Sequence, residues 1–347
     1  MTLLVTGGAG FIGSAVVLRA LAEGRRVVTL DKLTYAANRE TVTLLGKHPN
    51  HALETADIAD AEAVAAILDR HRPSQILHLA AESHVDRSID RPGDFIATNV
   101  QGTFTLLDRT LRYWRGLQAG EKASFRFIHV STDEVFGSLG SEGQFSEDSA
   151  YAPNSPYAAS KASSDHLARA WHATYGLPVV ITNCSNNYGP RQFPEKLIPL
   201  MILNALSGRK LPVYGDGQNV RDWLFVEDHA RALLTVADRA RPGSRYMVGG
   251  DTERCNLDLV HILCDLLDEA RPDPALGPRR QLIEFVADRP GHDRRYAADF
   301  SRITRELDWR PSVDLAGGLK RTIEWYLSNS AWCAACGEDA RARRGLK

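Results

Sequence analysis

An apolar run, Leu3-Leu4-Val5-Thr6, breaks directly into Gly7-Gly8-Ala9-Gly10-Phe11-Ile12-Gly13 and then into a stretch of helical periodicity from Phe11 to Glu23. Few local patterns restrict a fold more. Glycines at Gly7, Gly10 and Gly13 permit a tight strand-to-helix turn and let backbone N–H groups approach a pyrophosphate at the positive end of the helix. The same pattern also serves where a helix merely packs on a strand, so its context matters. Here Asp31 closes the next apolar run, where a carboxylate can accept hydrogen bonds from adenosine ribose hydroxyls. Such a carboxylate repels a 2′-phosphate, which favours NAD over NADP; the neighbouring Lys32 weakens that discrimination. Asp57-Ile58, after the third strand, either meets the adenine edge or only caps the following helix.

Short apolar runs at Leu3–Thr6, Val27–Asp31, Gln75–Leu79, Phe125–Ser131 and Val179–Asn183 alternate with helical patterns at Phe11–Glu23, Asp60–Arg70, Phe95–Trp114 and Tyr157–Tyr175. Parallel strands need long crossovers, so this alternation predicts an α/β fold, a Rossmann-type doubly wound parallel sheet. After Asn183 the chain becomes irregular, with Gly189-Pro190, Pro194, Pro199, Pro212, Gly215-Asp216-Gly217 and Pro290-Gly291. We therefore expect a NAD-binding domain over 1–183, to which the chain returns near 226–248. A smaller C-terminal substrate-binding lobe is expected from 184–225 and 249–330, and a surface tail over 331–347.

With 347 residues there is room for a sizeable core, and a formal net charge of -1 without a polybasic run before the tail argues against nucleic acid or anionic membrane as partners. Five cysteines, Cys184, Cys255, Cys264, Cys333 and Cys336, form an odd and sparse set that reads as reduced thiols in a cytoplasmic protein. The Cys333-x-x-Cys336 pair lacks a second ligand pair, so no metal is expected. No apolar run reaches the ~18 residues of a membrane span.

Two patterns carry chemistry. Tyr157 and Lys161 stand four apart on one helix face. A phenol titrates near pH 10, too high for a base at neutrality, unless a nearby ammonium and a nicotinamide charge lower it. Asp133 and Glu134 follow Ser131-Thr132 at a strand end and supply an acid and a base for elimination, since like charges and unequal burial separate two carboxyl pKa values. Consecutive strand side chains point to opposite faces, so the pair can share a site only if the chain turns after Thr132. In Leu79-Ala80-Ala81-Glu82-Ser83-His84-Val85-Asp86-Arg87-Ser88, small Ala80 and Ala81 let a cofactor pass the backbone and Ser83 can face a substrate. His84, Asp86 and Arg87 read as a hydrogen-bonded loop network before catalysis.

With these segments, and with Asn183-Cys184-Ser185-Asn186-Asn187-Tyr188-Gly189-Pro190, Pro194-Glu195-Lys196-Leu197-Ile198-Pro199, Arg221-Asp222-Trp223 and Asp288-Arg289-Pro290-Gly291-His292-Asp293, the chain resembles the extended short-chain dehydrogenase/reductase family. Within it, the Asp-Glu pair resembles that of the nucleotide-sugar 4,6-dehydratases. The resemblance runs from Thr6 to about Tyr326. It implies tightly held NAD and a nucleotide sugar, dTDP-glucose, that is oxidised at C4, loses water across C5 and C6 and receives the hydride back at C6. UDP-glucose, a 4-epimerase reaction and a non-catalytic NAD(H) sensor stay as alternatives. Catalytic roles are implied for Thr132, Asp133, Glu134, Tyr157 and Lys161. Cofactor contacts are implied for Phe11, Ile12, Lys32, Leu33, Thr34, Leu79, Thr98 and Asn187 beside those above. Arg221 and Arg289 are expected on the diphosphate, by the fit of a guanidinium fork to phosphate. The resemblance adds Asn186, Lys196, Leu197, Pro212, Tyr214, Asn256 and His292 on the substrate, and a homodimer through helices Phe95–Trp114 and Tyr157–Tyr175.

Overall fold

The structure is a computed structural model, and it describes residues 1–336. Strands β1 (Thr2–Thr6), β2 (Arg26–Asp31), β3 (His51–Thr55), β4 (Gln75–His78), β5 (Arg126–Thr132) and β6 (Val179–Cys184) are followed by shorter ones. These are β7 (Asn186–Tyr188), β8 (Leu211–Tyr214), β9 (Val220–Phe225), β10 (Arg245–Val248), β11 (Glu253–Cys255) and β12 (Ile283–Val286). The large sheet has the order β3-β2-β1-β4-β5-β6-β10 and all its pairs are parallel. The order reverses between β1 and β4, and a crevice opens there beyond the strand carboxyl ends.

Alternation along each strand builds the two helix layers. Leu3 and Val5 of β1 pack with Val16, Val17 and Ala20 of helix Phe11–Ala22 and with Leu233 and Val236 of helix Val226–Arg239. Leu4 faces the other way, into a core with Ile67 and Leu68 of helix Ala61–His71 and with Leu107 and Leu111 of helix Thr103–Gly116. Burial of both faces is what a central parallel strand requires. The helix expected over Phe95–Trp114 is not continuous: Ile96–Gly102 forms a π-helical turn before Thr103–Gly116. That wide turn brings Thr98 to the crevice and lets Asn99 bind the backbone of Glu82 on both its N–H and its carbonyl, at 2.8 and 2.9 Å.

Beyond β6 the lobe has its own small sheets, β11-β9-β7 and β12-β8, and its own core around Ile202, Leu263 and Tyr326. The chain re-enters the large sheet at β10. Ala331, Ala334 and Ala335 are exposed, as a surface segment requires, but two residues between them are not. Helix Ser330–Ala335 buries Trp332 and Cys333 in the lobe core, because the indole stacks edge-on against Trp325 and Tyr326. The rest of the expected tail, 337–347, lies outside the described residues.

Candidate active site

The turn after β1 explains its glycines. Gly7 has a φ of +70°, and a Cβ there would stand 2.7 Å from the Ala80 backbone nitrogen; one on Gly13 would stand 2.1 Å from the Gly7 carbonyl oxygen. Loop, helix and β4 therefore approach more closely than any side chain allows. Asp31 accepts hydrogen bonds from the N–H groups of Ala9 (3.0 Å) and Leu33 (2.8 Å). A carboxylate has about four lone-pair sites, so two acceptor positions remain for a ribose diol. Leu33 takes a φ of +54° to make that contact. Lys32 turns away, 3.2 Å from Thr98 Oγ1 and 3.5 Å from Asp57.

Of the residues expected on the cofactor, all but Leu33 line one cleft. Thr132, Glu134, Ser83, Asn186 and Lys196 line it too. Asp133, Leu197, Pro212, Tyr214, Arg221, Asn256, Arg289 and His292 do not. Several of these converge just beyond it: Arg289, Lys196 and Arg221, in that order, are the cations acting on the Glu134 carboxylate. Arg289 Nη1 lies 3.2 Å from Asp86, which also accepts from the Tyr214 hydroxyl at 2.9 Å, and the Tyr214 ring meets His292 edge-on. Arg221 stacks on Tyr296 with its Cζ 4.3 Å from the ring centre. Pro212 sits in β8 opposite Glu284, Leu197 opens helix Leu197–Leu206, and Asn256 opens helix Asn256–Ala270 with its Oδ1 buried and unbonded.

The catalytic candidates meet at the end of β5. The chain leaves the strand in a 3-10 turn, Asp133–Phe136; Glu134 lines the cleft, while Asp133 is buried beside it and accepts from the Thr132 hydroxyl at 3.3 Å. Their surroundings differ. Asp133 is 1% exposed and its Oδ2 is buried without a hydrogen bond; burial first, then Glu134, pushes its carboxyl well above the usual range. Glu134 opens to the cleft; burial raises its carboxyl too, but Arg289, Lys196 and Arg221 pull it back. Tyr157 lines the cleft with Thr132, whose hydroxyl donates to Asp133 Oδ1.

The Tyr157 phenol stands high in the protein alone. Burial, followed by Glu134, pushes the Tyr157 phenol well above its ordinary value, and Lys161 spends a hydrogen bond on the Val130 carbonyl at 2.9 Å. A cationic nicotinamide, when bound, would lower the phenol.

Glu195 lies in one of the segments that carry the resemblance, yet the sequence assigns it no role. It accepts from Arg87 Nε at 3.2 Å and from the Tyr35 hydroxyl at 3.2 Å, joining the loop after β4, the loop after β2 and the lobe. Its 3.7 Å approach to His84 is not an ion pair, because burial, then Lys196 and Arg87, drives that imidazole down to about 2.

The profile of the family described as GDP-mannose 4,6 dehydratase matches residues 4–322. A dTDP-glucose 4,6-dehydratase of Xanthomonas campestris pv. campestris (strain B100) is 55% identical over 331 residues, 95% of this chain and 94% of that protein. The chain belongs to the dTDP-glucose 4,6-dehydratase family. The dTDP-glucose 4,6-dehydratase 1 of Escherichia coli (strain K12) is 54% identical over 96% of this chain and 94% of its own. A crystal structure of the Streptomyces venezuelae dTDP-glucose 4,6-dehydratase, with NAD bound, superposes with a TM-score of 0.89 at 47% identity, covering 97% of this chain and 100% of that one. A UDP-glucose 4-epimerase of Thermotoga maritima shares the fold at 28% identity and a TM-score of 0.83, covering 95% and 100%. Dehydratase and epimerase thus share one scaffold. The glycine cradle and the two open acceptor positions of Asp31 fit NAD.

Proposed function

We propose that the protein removes water from dTDP-glucose to give dTDP-4-keto-6-deoxyglucose. The observation that carries this reading is the Asp133–Glu134 pair, two adjacent carboxyls in unequal environments beside Thr132 and Tyr157. NAD, when bound, accepts a hydride from C4 and later returns it to C6. Tyr157, which lines the cleft with Thr132, takes the proton of the C4 hydroxyl, and Lys161 orients the site from one helical turn away. A ketone at C4 acidifies the C5 proton, and Glu134 removes it as base. Asp133, kept protonated by burial, gives its proton to the departing C6 hydroxyl, which leaves as water. Glu134 then returns its proton to C5.

Arg289, Arg221 and Lys196 hold the diphosphate. Asn186, Leu197, Pro212, Tyr214, Asn256 and His292 border the nucleotide, Ser83 the sugar, and Asn187 the nicotinamide side. Thymine and uracil differ by one methyl, worth only ~1 kcal/mol or slightly more in a pocket, so UDP-glucose is the nearest competitor. Epimerisation on the same scaffold needs no second carboxyl, which is why the pair favours dehydration.

The test is mass spectrometry of protein incubated with dTDP-glucose and no reductant. A product lighter by one water supports the reading; unchanged mass overturns it and turns attention to UDP-glucose, epimers and the sensor. Glu134→Gln should reduce its NAD on sugar addition yet release no water, and normal turnover by that variant would remove Glu134 from the role.

A homodimer is proposed through the faces of Thr103–Gly116 and Pro156–Tyr175. Phe104 (40% exposed), Tyr175 (43%) and the preceding Ile96 (53%) leave apolar surface in the open there. Sedimentation at micromolar concentration checks it, and a monomer throughout would end it. Five cysteines, none in a disulfide among the described residues, suit the cytoplasm, and among the described residues no helix is long and apolar enough to cross a membrane; cell fractionation decides the location.

A further inference from the structure

Asp165 lies one helical turn beyond Lys161 on helix Pro156–Tyr175 and has no exposed surface. Buried carboxylates are costly without partners, and this one has three. His129 Nε2 is 3.1 Å from Oδ1, while the Tyr151 hydroxyl (3.0 Å) and the Asn183 side-chain amide (3.1 Å) donate to Oδ2. The same Asn183 nitrogen donates to the main-chain carbonyl of Thr132 at 3.0 Å. A chain of hydrogen bonds thus runs from Asp165 to the residue at which β5 ends and the Asp133–Glu134 turn begins.

Lys161 and Asp165 stand four apart on one helix face and both are buried, so the carboxylate acts on the ammonium across a helical turn rather than through a direct ion pair. The Lys161 ammonium is buried, and its one hydrogen-bond acceptor among the described residues, the Val130 carbonyl, is neutral. Titratable neighbours come from the helix itself and from three strands. On the same helix stand Tyr157 and Asp165; β5 brings His129 and, at its end, Asp133 and Glu134; β4 brings His78; β6 brings Cys184. Burial keeps His78 and His129 uncharged by pushing them down and keeps Cys184 and Tyr157 uncharged by pushing them up. Burial, then Glu134, pushes the Asp133 carboxyl up. Glu134 faces the cleft cations Arg289, Lys196 and Arg221. Asp165 alone of these is drawn below the usual carboxylate range. Burial opposes that shift, and His129 and Lys161 outweigh it. Burial lowers the Lys161 ammonium and Asp165 is the first influence that raises it.

We propose that Asp165 is a positioning residue of this active site, the counter-ion of the Lys161 ammonium and, through Asn183, the anchor of the strand end that presents Thr132, Asp133 and Glu134. The proposal rests on the dehydration reading and deepens it. A purely structural aspartate would hold the helix to the sheet without setting the charge state of Lys161, and the two roles separate experimentally.

Asp165→Asn keeps the shape and removes the charge. In the NAD-loaded enzyme, kcat should fall about 10- to 100-fold at neutral pH with KM little changed, since a small misplacement of reacting groups costs up to about 10²-fold. Activity should recover as pH falls, because Lys161 without its counter-ion loses its proton earlier; Asp165→Glu should restore the wild-type pH profile. A uniform loss at every pH, with no rescue by glutamate, would reduce Asp165 to a structural role. Asn183→Ser tests the anchor by itself: kcat should drop while the pH profile stays in place, and undiminished kcat would overturn it. Titration of the Lys161 Nζ resonance in lysine-labelled NAD-loaded protein needs no turnover, so it separates failure of this proposal from failure of the dehydration reading. Its midpoint should move down by about one pH unit or more in Asp165→Asn. An unmoved midpoint would sink the counter-ion.

Discussion

The indole Nε1 of Trp332 donates to Oδ1 of Asn38 at 3.0 Å, joining two residues 294 positions apart. The same oxygen accepts from the Thr41 N–H and caps helix Arg39–Leu45, and the Asn38 N–H donates to the Ala9 carbonyl in the glycine loop. The last described helix is therefore pinned to the rim of the cofactor cleft. Trp332→Phe should cost about 1 kcal/mol for the lost hydrogen bond. Trp332→Ala should cost about 3–5 kcal/mol, as for other large aromatic truncations in a core. Urea unfolding measures both, and an alanine variant as stable as wild type would refute the docking.

Tyr35 crosses the mouth of the same cleft. Thr34, Ala36 and Ala37 line one side of the opening, Phe193 and Glu195 the other. Tyr35 ties them together by its bond to Glu195, an edge-on contact with Phe193 and an Arg87 guanidinium 3.6 Å from its ring centre. Tyr35→Ala should shed NAD on gel filtration about tenfold faster, a loss of roughly 1.4 kcal/mol. Tyr35→Phe should keep it. Equal retention by the alanine variant would show that the tie does not hold the cofactor.

Asp133 makes a stability prediction with a sign. Its folded-state carboxyl is raised, by burial and then by Glu134, above the unfolded value of about 3.9. Between those two values the folded state holds more protons, so this group's favourable contribution, complete at low pH, is lost as pH rises toward the folded value. Asp133→Asn carries no such dependence. Its melting temperature should gain on wild type steadily from acid to alkaline pH, while water elimination collapses. A constant difference in melting temperature across pH would contradict the raised carboxyl.

Arg289 should separate binding from chemistry. Its Nη1 is held by Asp86, and its Nε is buried without a partner among the described residues, so its fork still has donors to offer an anion. Arg289→Ala should raise KM for the nucleotide sugar roughly 10- to 100-fold and change kcat less. Arg289→Lys should recover little, because an ammonium cannot replace a planar fork. Initial-rate kinetics decide, and an unchanged KM would remove Arg289 from the diphosphate.

The glycine turn, Asp31 at the end of β2, the Tyr157–Lys161 spacing and the Asp133–Glu134 pair were all legible in the sequence. Each depends on short-range geometry: a turn, a strand end, one turn of helix. The strand-helix alternation likewise revealed the parallel sheet, because periodicity reports which faces are buried. The π-helical turn at Ile96–Gly102 was not legible, since its residues have the same helical pattern as their neighbours.

What only the tertiary structure decided is electrostatic and long-range. Asp133 and Glu134 look equivalent in the chain, yet one is sealed off and the other faces Arg289, Lys196 and Arg221, which arrive from lobe segments 62 to 155 positions away. The buried charge of Asp165, the clasp at Glu195 and the docking of Trp332 depend in the same way on which distant groups are brought together. Sequence determines chemistry and local conformation; burial and the distance between charges, which set every pKa in this site, exist only once the chain has folded.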